Sequence, residues 1–185
     1  MALMHPRVFP HDLRKKPKLE GEALVFAALA SALGNDWWVF YDRPVPGTRR
    51  RVDFVVVNPD RGVVAIEVKG GLVHAHRGWF RQLVRRPGQR KRIDPFGQLK
   101  LGFAGICRAA GVAVGSVPVH LAIWFPQMGQ GAFVWKPTPH IWTRELIEAA
   151  AVDDAIEVAV PPAVSGAQRL ALGRVAAVLD CAGVR

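Results

Sequence analysis

Asp53, Glu67 and Lys69 are the residues of this 185-residue chain whose types and spacing suit chemistry best. Asp53 lies in VDFVVV (52–57) and the other two lie in VVAIEVK (63–69), on either side of the turn NPDRG (58–62). Two β-branched runs around such a turn read as a β-hairpin. A loop over 58–62 pairs Val57 with Val63, and the same register sets Asp53 opposite Glu67. Cross-strand partners have Cβ atoms about 4.5–5.5 Å apart, and alternation puts Lys69 on the face of Glu67. Carboxylates that close repel unless a proton or a cation lies between them. Hard oxygen ligands at this spacing suit Mg²⁺, which takes one or two carboxylates and completes its shell with water and substrate phosphate. Lys69 would then orient an attacking water or stabilise charge developing on phosphorus. Spacing alone leaves a second reading equally open: an ion pair between Lys69 and one carboxylate at the sheet edge, with Asp53 partly solvated.

The elements that must position these residues are legible around them. Phe54, Val56, Val64 and Ile66 face away from the acids, and Val55, Val57, Val63 and Ala65 complete a pair of strands buried on both sides. KLEGEALVFAALASAL (18–33) reads as a helix closed by Gly34 and Asn35. WWVFYD (37–42) reads as a short strand, and 71–86 as a further strand or small hairpin. A helix over 94–111 starts with Pro near its first turn, and VPVHLAIWF (117–125) has the length and branching of a buried strand. Segments 143–151 and 165–183 read as helices, the second with Ser165 as N-cap. The order α-β-β-β-(β)-α-β-α-α predicts one α/β domain over 1–185. It divides into a basic N-terminal arm (1–17), a core (18–126) and a helical C-terminal extension (140–185).

Charge is unevenly placed. Lys and Arg total 25 against 15 Asp and Glu, a formal charge of +10, which points toward polyanionic partners. No acid occurs between Glu67 and Asp94, an interval that holds Lys69, Arg77, Arg81, Arg85, Arg86, Arg90, Lys91 and Arg92. Arg43 with Arg49, Arg50 and Arg51 forms a second cluster, and Arg14, Lys15, Lys16 and Lys18 a third. With Trp79, Phe80 and Phe96 interleaved, these runs suggest a phosphate-tracking groove. Apolar runs fall far short of the roughly 18 residues of a membrane span, and the start lacks a signal-peptide core. No membrane partner is expected. Two cysteines, Cys107 and Cys181, are too few for a secreted disulfide scaffold, so a reducing, cytoplasmic setting is expected.

Asp53 followed by Glu67-Val68-Lys69 resembles the D-x(n)-E-x-K signature of the PD-(D/E)xK nuclease superfamily. Gly21-Glu22 opening the first helix, VDFVVVNPDRGVVAIEVKGG, Gly78-Trp79 and Asp94-Pro95-Phe96-Gly97-Gln98 together resemble one branch of it, the nuclease-related domain (NERD), over roughly 19–125. The resemblance implies a restriction-endonuclease-like core: a mixed central sheet flanked by helices. It implies a nuclease requiring Mg²⁺ or Mn²⁺, with DNA rather than RNA as the expected substrate and a homodimer allowed. By its pattern Asp53, Glu67 and the backbone carbonyl of Val68 are metal ligands, Glu22 binds through water, Lys69 is the catalytic lysine, and Gln98 braces the site or contacts the nucleic-acid backbone. A catalytically weak or inactive nucleic-acid-binding module, or a structure-selective junction-resolving nuclease, fits the same resemblance.

The other candidates carry less. Arg49, Arg50 and Arg51, with the basic residues from Arg77 to Arg92, are the nucleic-acid contacts the charge pattern suggests. Trp79 has a base-stacking reading beside a packing one. Trp37, Trp38, Trp124, Trp135 and Trp142 read as packing residues. His74 and His76 share a strand face but lack a third ligand, so they read as surface histidines, and His120 reads as a core histidine. Ser116 and Ser165 have no His/Asp framework, and no P-loop sequence is present.

Overall fold

The computed structural model describes residues 2–7, 9, 19–71, 73–76, 79–83, 90–133 and 140–182. In chain order the elements are β1 (Leu3–His5), α1 (Glu20–Ala32), β2 (Trp38–Pro44), β3 (Arg51–Asn58), β4 (Gly62–Val68), β5 (Val73–His76), β6 (Trp79–Leu83) and β7 (Arg90–Ile93). There follow α2 (Pro95–Ala109), β8 (Val119–Phe125), β9 (Ile141–Thr143), α3 (Glu145–Glu148), α4 (Val152–Ala159) and α5 (Gly166–Cys181).

The hairpin register expected from the sequence is present as far as Phe54↔Ile66, and the expected pair of Asp53 with Glu67 is not part of the ladder. β3 and β4 pair antiparallel from Phe54↔Ile66 through Val57↔Val63 to Asn58↔Gly62. The turn closes one pair tighter than 58–62, because Asn58 Oδ1 accepts the Asp60 N–H at 2.9 Å. Gly62 has φ +149°, and a Cβ there would sit 2.8 Å from the Pro118 carbonyl oxygen. Only glycine therefore lets β4 begin beside the β8 approach.

Around this hairpin a six-stranded sheet runs in the order β1-β2-β3-β4-β8-β9. β3 is antiparallel to both β2 and β4, whereas β1 on β2, β8 on β4 and β9 on β8 are parallel. Every residue of β4 is buried, as a central strand covered on both faces requires. Val55, Val57, Val63 and Ala65 pack in one core layer with Leu99 and Ile106 of α2 and Leu172 and Val175 of α5. Phe54, Val56, Val64 and Ile66 pack in the other with Val25 and Leu29 of α1 and Ile156 of α4. A separate antiparallel sheet β5-β6-β7 rests on the first layer through Val73 and Phe80, whose ring stacks on Phe125 at 5.5 Å. This mixed sheet between helical layers is the α/β class expected, consistent with a restriction-endonuclease-like fold.

Two of the four predicted helices start with a side-chain cap. Asp94 accepts the Gly97 N–H with Pro95 following it, and Ser165 forms a reciprocal capping box with Gln168. The small hairpin expected over 71–86 is present as β5 and β6, and β7 returns along β6 to make it a three-stranded sheet. Two expectations need correcting. The single helix over 143–151 does not exist as such: residues 141–143 pair with β8 as β9, α3 stops at Glu148, and Ala150 takes φ +51° before α4 restarts. The start of the chain contributes β1 to the sheet. Both cysteines are free, and among the described residues no helix is long and apolar enough to cross a membrane.

Candidate active site

The acids sit where the regular ladder of β3 gives out. Pairing of β3 with β4 ends at Phe54↔Ile66, and pairing of β3 with β2 skips from Tyr41↔Phe54 to Arg43↔Val52. Asp42, the residue skipped on β2, has φ +49°, a conformation uncommon outside glycine. Val52 packs in the layer of Val55 rather than that of Phe54, so side-chain alternation breaks at Asp53. The Asp53 carboxylate takes over the lost main-chain contact: its Oδ2 accepts the Val68 N–H at 2.8 Å. It is thereby held beside the end of β4, next to Glu67 and Lys69.

Glu67 is only 7 % exposed, and the Lys69 ammonium forms a short hydrogen-bonded ion pair with its Oε1. The ion pair that spacing left open is thus made by Glu67, while Asp53 is engaged with the backbone. Lys69 N–H donates to the Trp124 carbonyl at 2.9 Å, which ties the end of the motif to β8.

Glu22 comes to this corner from the first turn of α1. It is half-buried, not the freely exposed first-turn acid that is the simplest reading of its position, and its Oε2 accepts the Tyr41 hydroxyl at 2.6 Å. Tyr41 lies among Phe9, Phe26 and Phe54, with ring centroids 5.0 to 6.0 Å away. Two features set the helix against β4. A Cβ on Gly21 would lie 3.2 Å from Gly70 Cα, so the helix start touches the chain just past Lys69. Gln127 bridges the same parts, donating to Glu20 at 3.1 Å and accepting the Gly71 N–H at 2.7 Å.

Electrostatics follow from this crowding. Burial, then the charges of Glu67 and Glu22, push the Asp53 carboxyl well above the usual range, against smaller opposing effects of Lys69 and the Val68 N–H. Glu22 is also raised, chiefly by burial, with the Tyr41 hydrogen bond opposing. The Tyr41 phenol is raised by burial and by Glu22. Three carboxylates share one lysine in a partly desolvated corner, so a proton or further cation is favoured there. Among the described residues no three acidic, histidine or cysteine side chains converge closely enough to enclose a metal ion.

The family model for the nuclease-related domain matches residues 17–126. The chain belongs to that family. The match spans α1, the hairpin, the small sheet, α2 and β8, and so contains each of the four charged site residues on this nuclease-related core. No curated protein and no solved structure matches the chain.

The remaining site expectations divide. Gln98 is exposed on the first turns of α2, and no hydrogen bond joins its side chain to Asp53, Glu67 or Lys69. Arg49 and Arg50 are exposed between β2 and β3, and Arg51, exposed at the start of β3, pairs with Asp42. Arg81 lies opposite Arg92 on one side and His74 on the other, all three exposed. Arg77, Arg85 and Arg86 lie outside the described residues, as do the side chains of His76, Trp79, Arg90 and Lys91. His120 stacks on His140 at 4.6 Å, as a packing residue does. Sequence reasoning missed Tyr41 and Gln127. A tyrosine inside an apolar strand reads as core; the only available signal was that a buried phenol needs a partner.

Proposed function

We propose that this nuclease-related protein is a metal-dependent nuclease that hydrolyses phosphodiester bonds in DNA. The observation that carries the reading is the gathering of Asp53, Glu67 and Lys69 at adjoining strand ends, with Glu22 brought against them by α1. Asp53 and Glu67, with the main-chain carbonyl of Val68, would hold Mg²⁺ or Mn²⁺. When bound, that ion polarises the scissile phosphate and lowers the pKa of a coordinated water. Glu22, fixed by Tyr41, acts on it through water. Lys69, released from Glu67 as the site fills, orients the attacking water or stabilises charge on the phosphorus. Gln98 reaches the nucleic-acid backbone rather than bracing the acids. His74, Arg81 and Arg92 supply contacts that position the polymer without reading its sequence.

The direct test is divalent-dependent cleavage of circular and linear DNA by wild type, Asp53→Ala and Lys69→Ala, with circular dichroism confirming each fold. Both variants are expected to lose cleavage. Activity surviving both would remove the mechanism. One observation favours a second reading, a nucleic-acid-binding module without turnover: the Lys69 ammonium is paired with Glu67. Such a module would bind with steep salt dependence and gain nothing from Mg²⁺.

A further inference from the structure

A cavity of ≈ 1530 Å³ lies between β1, the end of β2 and the last turn of α5, and Tyr41 and Asp42 form part of its wall. It therefore adjoins the acid corner through the residue that holds Glu22. Arg7, Arg43 and Arg51 also line it. Arg43 is the unusual one. It is 6 % exposed, donates through Nη2 to the His5 carbonyl at 2.8 Å and lies 5.6 Å from the Phe40 ring centroid. Its buried Nε has no hydrogen-bond partner.

Arginine stays charged in proteins, so Arg43 is a buried cation, and such a cation is costly without a paired anion. Among the described residues no carboxylate forms an ion pair with it. Asp42 and Asp180 attract it from farther off, but Asp42 is taken by Arg51 and Asp180 by His5 at 3.2 Å. The missing partner is an anion, and the planar guanidinium fork matches phosphate geometry. The volume exceeds the roughly 300–1,000 Å³ of ordinary small-ligand pockets, which favours a polymer segment over a lone ion.

We propose that this cavity is a phosphate-group site, anchored by Arg43 and flanked by Arg7 and Arg51, that holds a nucleic-acid phosphate beside the reacting corner. It rests on the nuclease reading for the identity of the polymer. Binding is therefore tested apart from cleavage, in EDTA, on the Asp53→Ala background. The probes are a short fluorescein-labelled oligonucleotide, with or without a 5′-phosphate, and inorganic phosphate as competitor. Arg43→Met and Arg7→Ala are each expected to weaken oligonucleotide binding by about tenfold, the scale of one lost charge-assisted hydrogen bond. Arg169→Ala, at the opposite end of α5, is expected to leave it unchanged. Inorganic phosphate should compete with the oligonucleotide and raise the melting temperature of the Arg43-bearing protein but not of Arg43→Met.

Should Arg43→Met not fold, Arg43→Lys keeps the charge, loses the fork, and should still weaken binding. A preference for the 5′-phosphorylated oligonucleotide assigns the site to a strand end, and equal binding assigns it to an internal phosphate; both support it. The proposal is overturned if phosphate neither competes nor stabilises, or if Arg7→Ala and Arg43→Lys bind like the parent. Cleavage by wild type without phosphate binding would sink this site and leave the nuclease reading standing, and binding without cleavage would do the reverse.

Discussion

Gly21→Ala adds one methyl group where α1 meets the loop after Lys69. The new Cβ would lie 3.2 Å from both Gly70 Cα and Pro126 Cγ and 3.6 Å from Gly70 N. Carbon atoms in contact prefer about 3.5–4.0 Å, so two contacts are short by a few tenths of an ångström. One neighbour is main chain, and the other is a proline ring with little freedom to retreat. The helix start must therefore move outward, and Glu22 moves with it. Overpacking of this kind costs about 1–3 kcal/mol, and alanine returns at most about 1 kcal/mol of helix propensity. A net loss of about 1 kcal/mol corresponds to a melting temperature about 2–4 °C lower for a chain of this size. A misplacement of 1 Å can cost about a hundredfold in rate, so a shift of a few tenths is expected to cost about tenfold in cleavage and to weaken Mn²⁺ dependence. Gly173→Ala on α5 is the control, because nothing lies within 4 Å of its Cβ position; it should leave activity unchanged and stability equal or slightly higher. The assay pairs thermal unfolding with cleavage across a Mn²⁺ titration. A Gly21→Ala protein that melts and cleaves like wild type would show that the close approach of α1 to Gly70 does not place Glu22.

Two further outcomes follow from the same corner. Burial and neighbouring acids raise the Asp53 pKa, so the folded state holds its proton at pH values where the unfolded chain has released it. Asp53 then makes stability fall as pH rises from the ordinary carboxylate range through its folded pKa, by at most about 1.4 kcal/mol per pH unit. Asp53→Asn, measured by urea unfolding in EDTA between about pH 5 and pH 8, should gain on wild type as pH rises; a constant or shrinking gap would contradict this sign. Tyr41→Phe removes only the hydroxyl on Glu22 and is expected to cost about 1 kcal/mol. It should also weaken Mn²⁺ binding, read by calorimetry, and unchanged Mn²⁺ affinity would reduce Tyr41 to a core residue.

Local chemistry made some of this molecule legible and hid the rest for identifiable reasons. The hairpin could be read because Val57 and Val63 flank a turn that Asn58 and Gly62 dictate by themselves. The caps at Asp94 and Ser165 are likewise decided within four residues. β1 and β9 are three residues each, too short for any period, and exist because β2 and β8 offer them an edge. The break at Ala150 opposes the helix propensity of the alanines around it; what sets it is the burial of Val152 and Ile156, a tertiary cause. The site divides the same way. Asp53, Glu67 and Lys69 lie on two paired strands, so spacing alone puts them near one another. Glu22 is 31 residues before Asp53 in sequence, and only the seating of Gly21 on Gly70 and the reach of Tyr41 bring it there. Asp53 binds the Val68 N–H where the pairing of β3 with β4 has ended at Phe54↔Ile66. A ladder continued to Val68 would have given that N–H a main-chain acceptor and left the carboxylate to swing freely. The early end of that ladder is therefore part of what holds the acid in place, and a regular strand would have been the poorer scaffold.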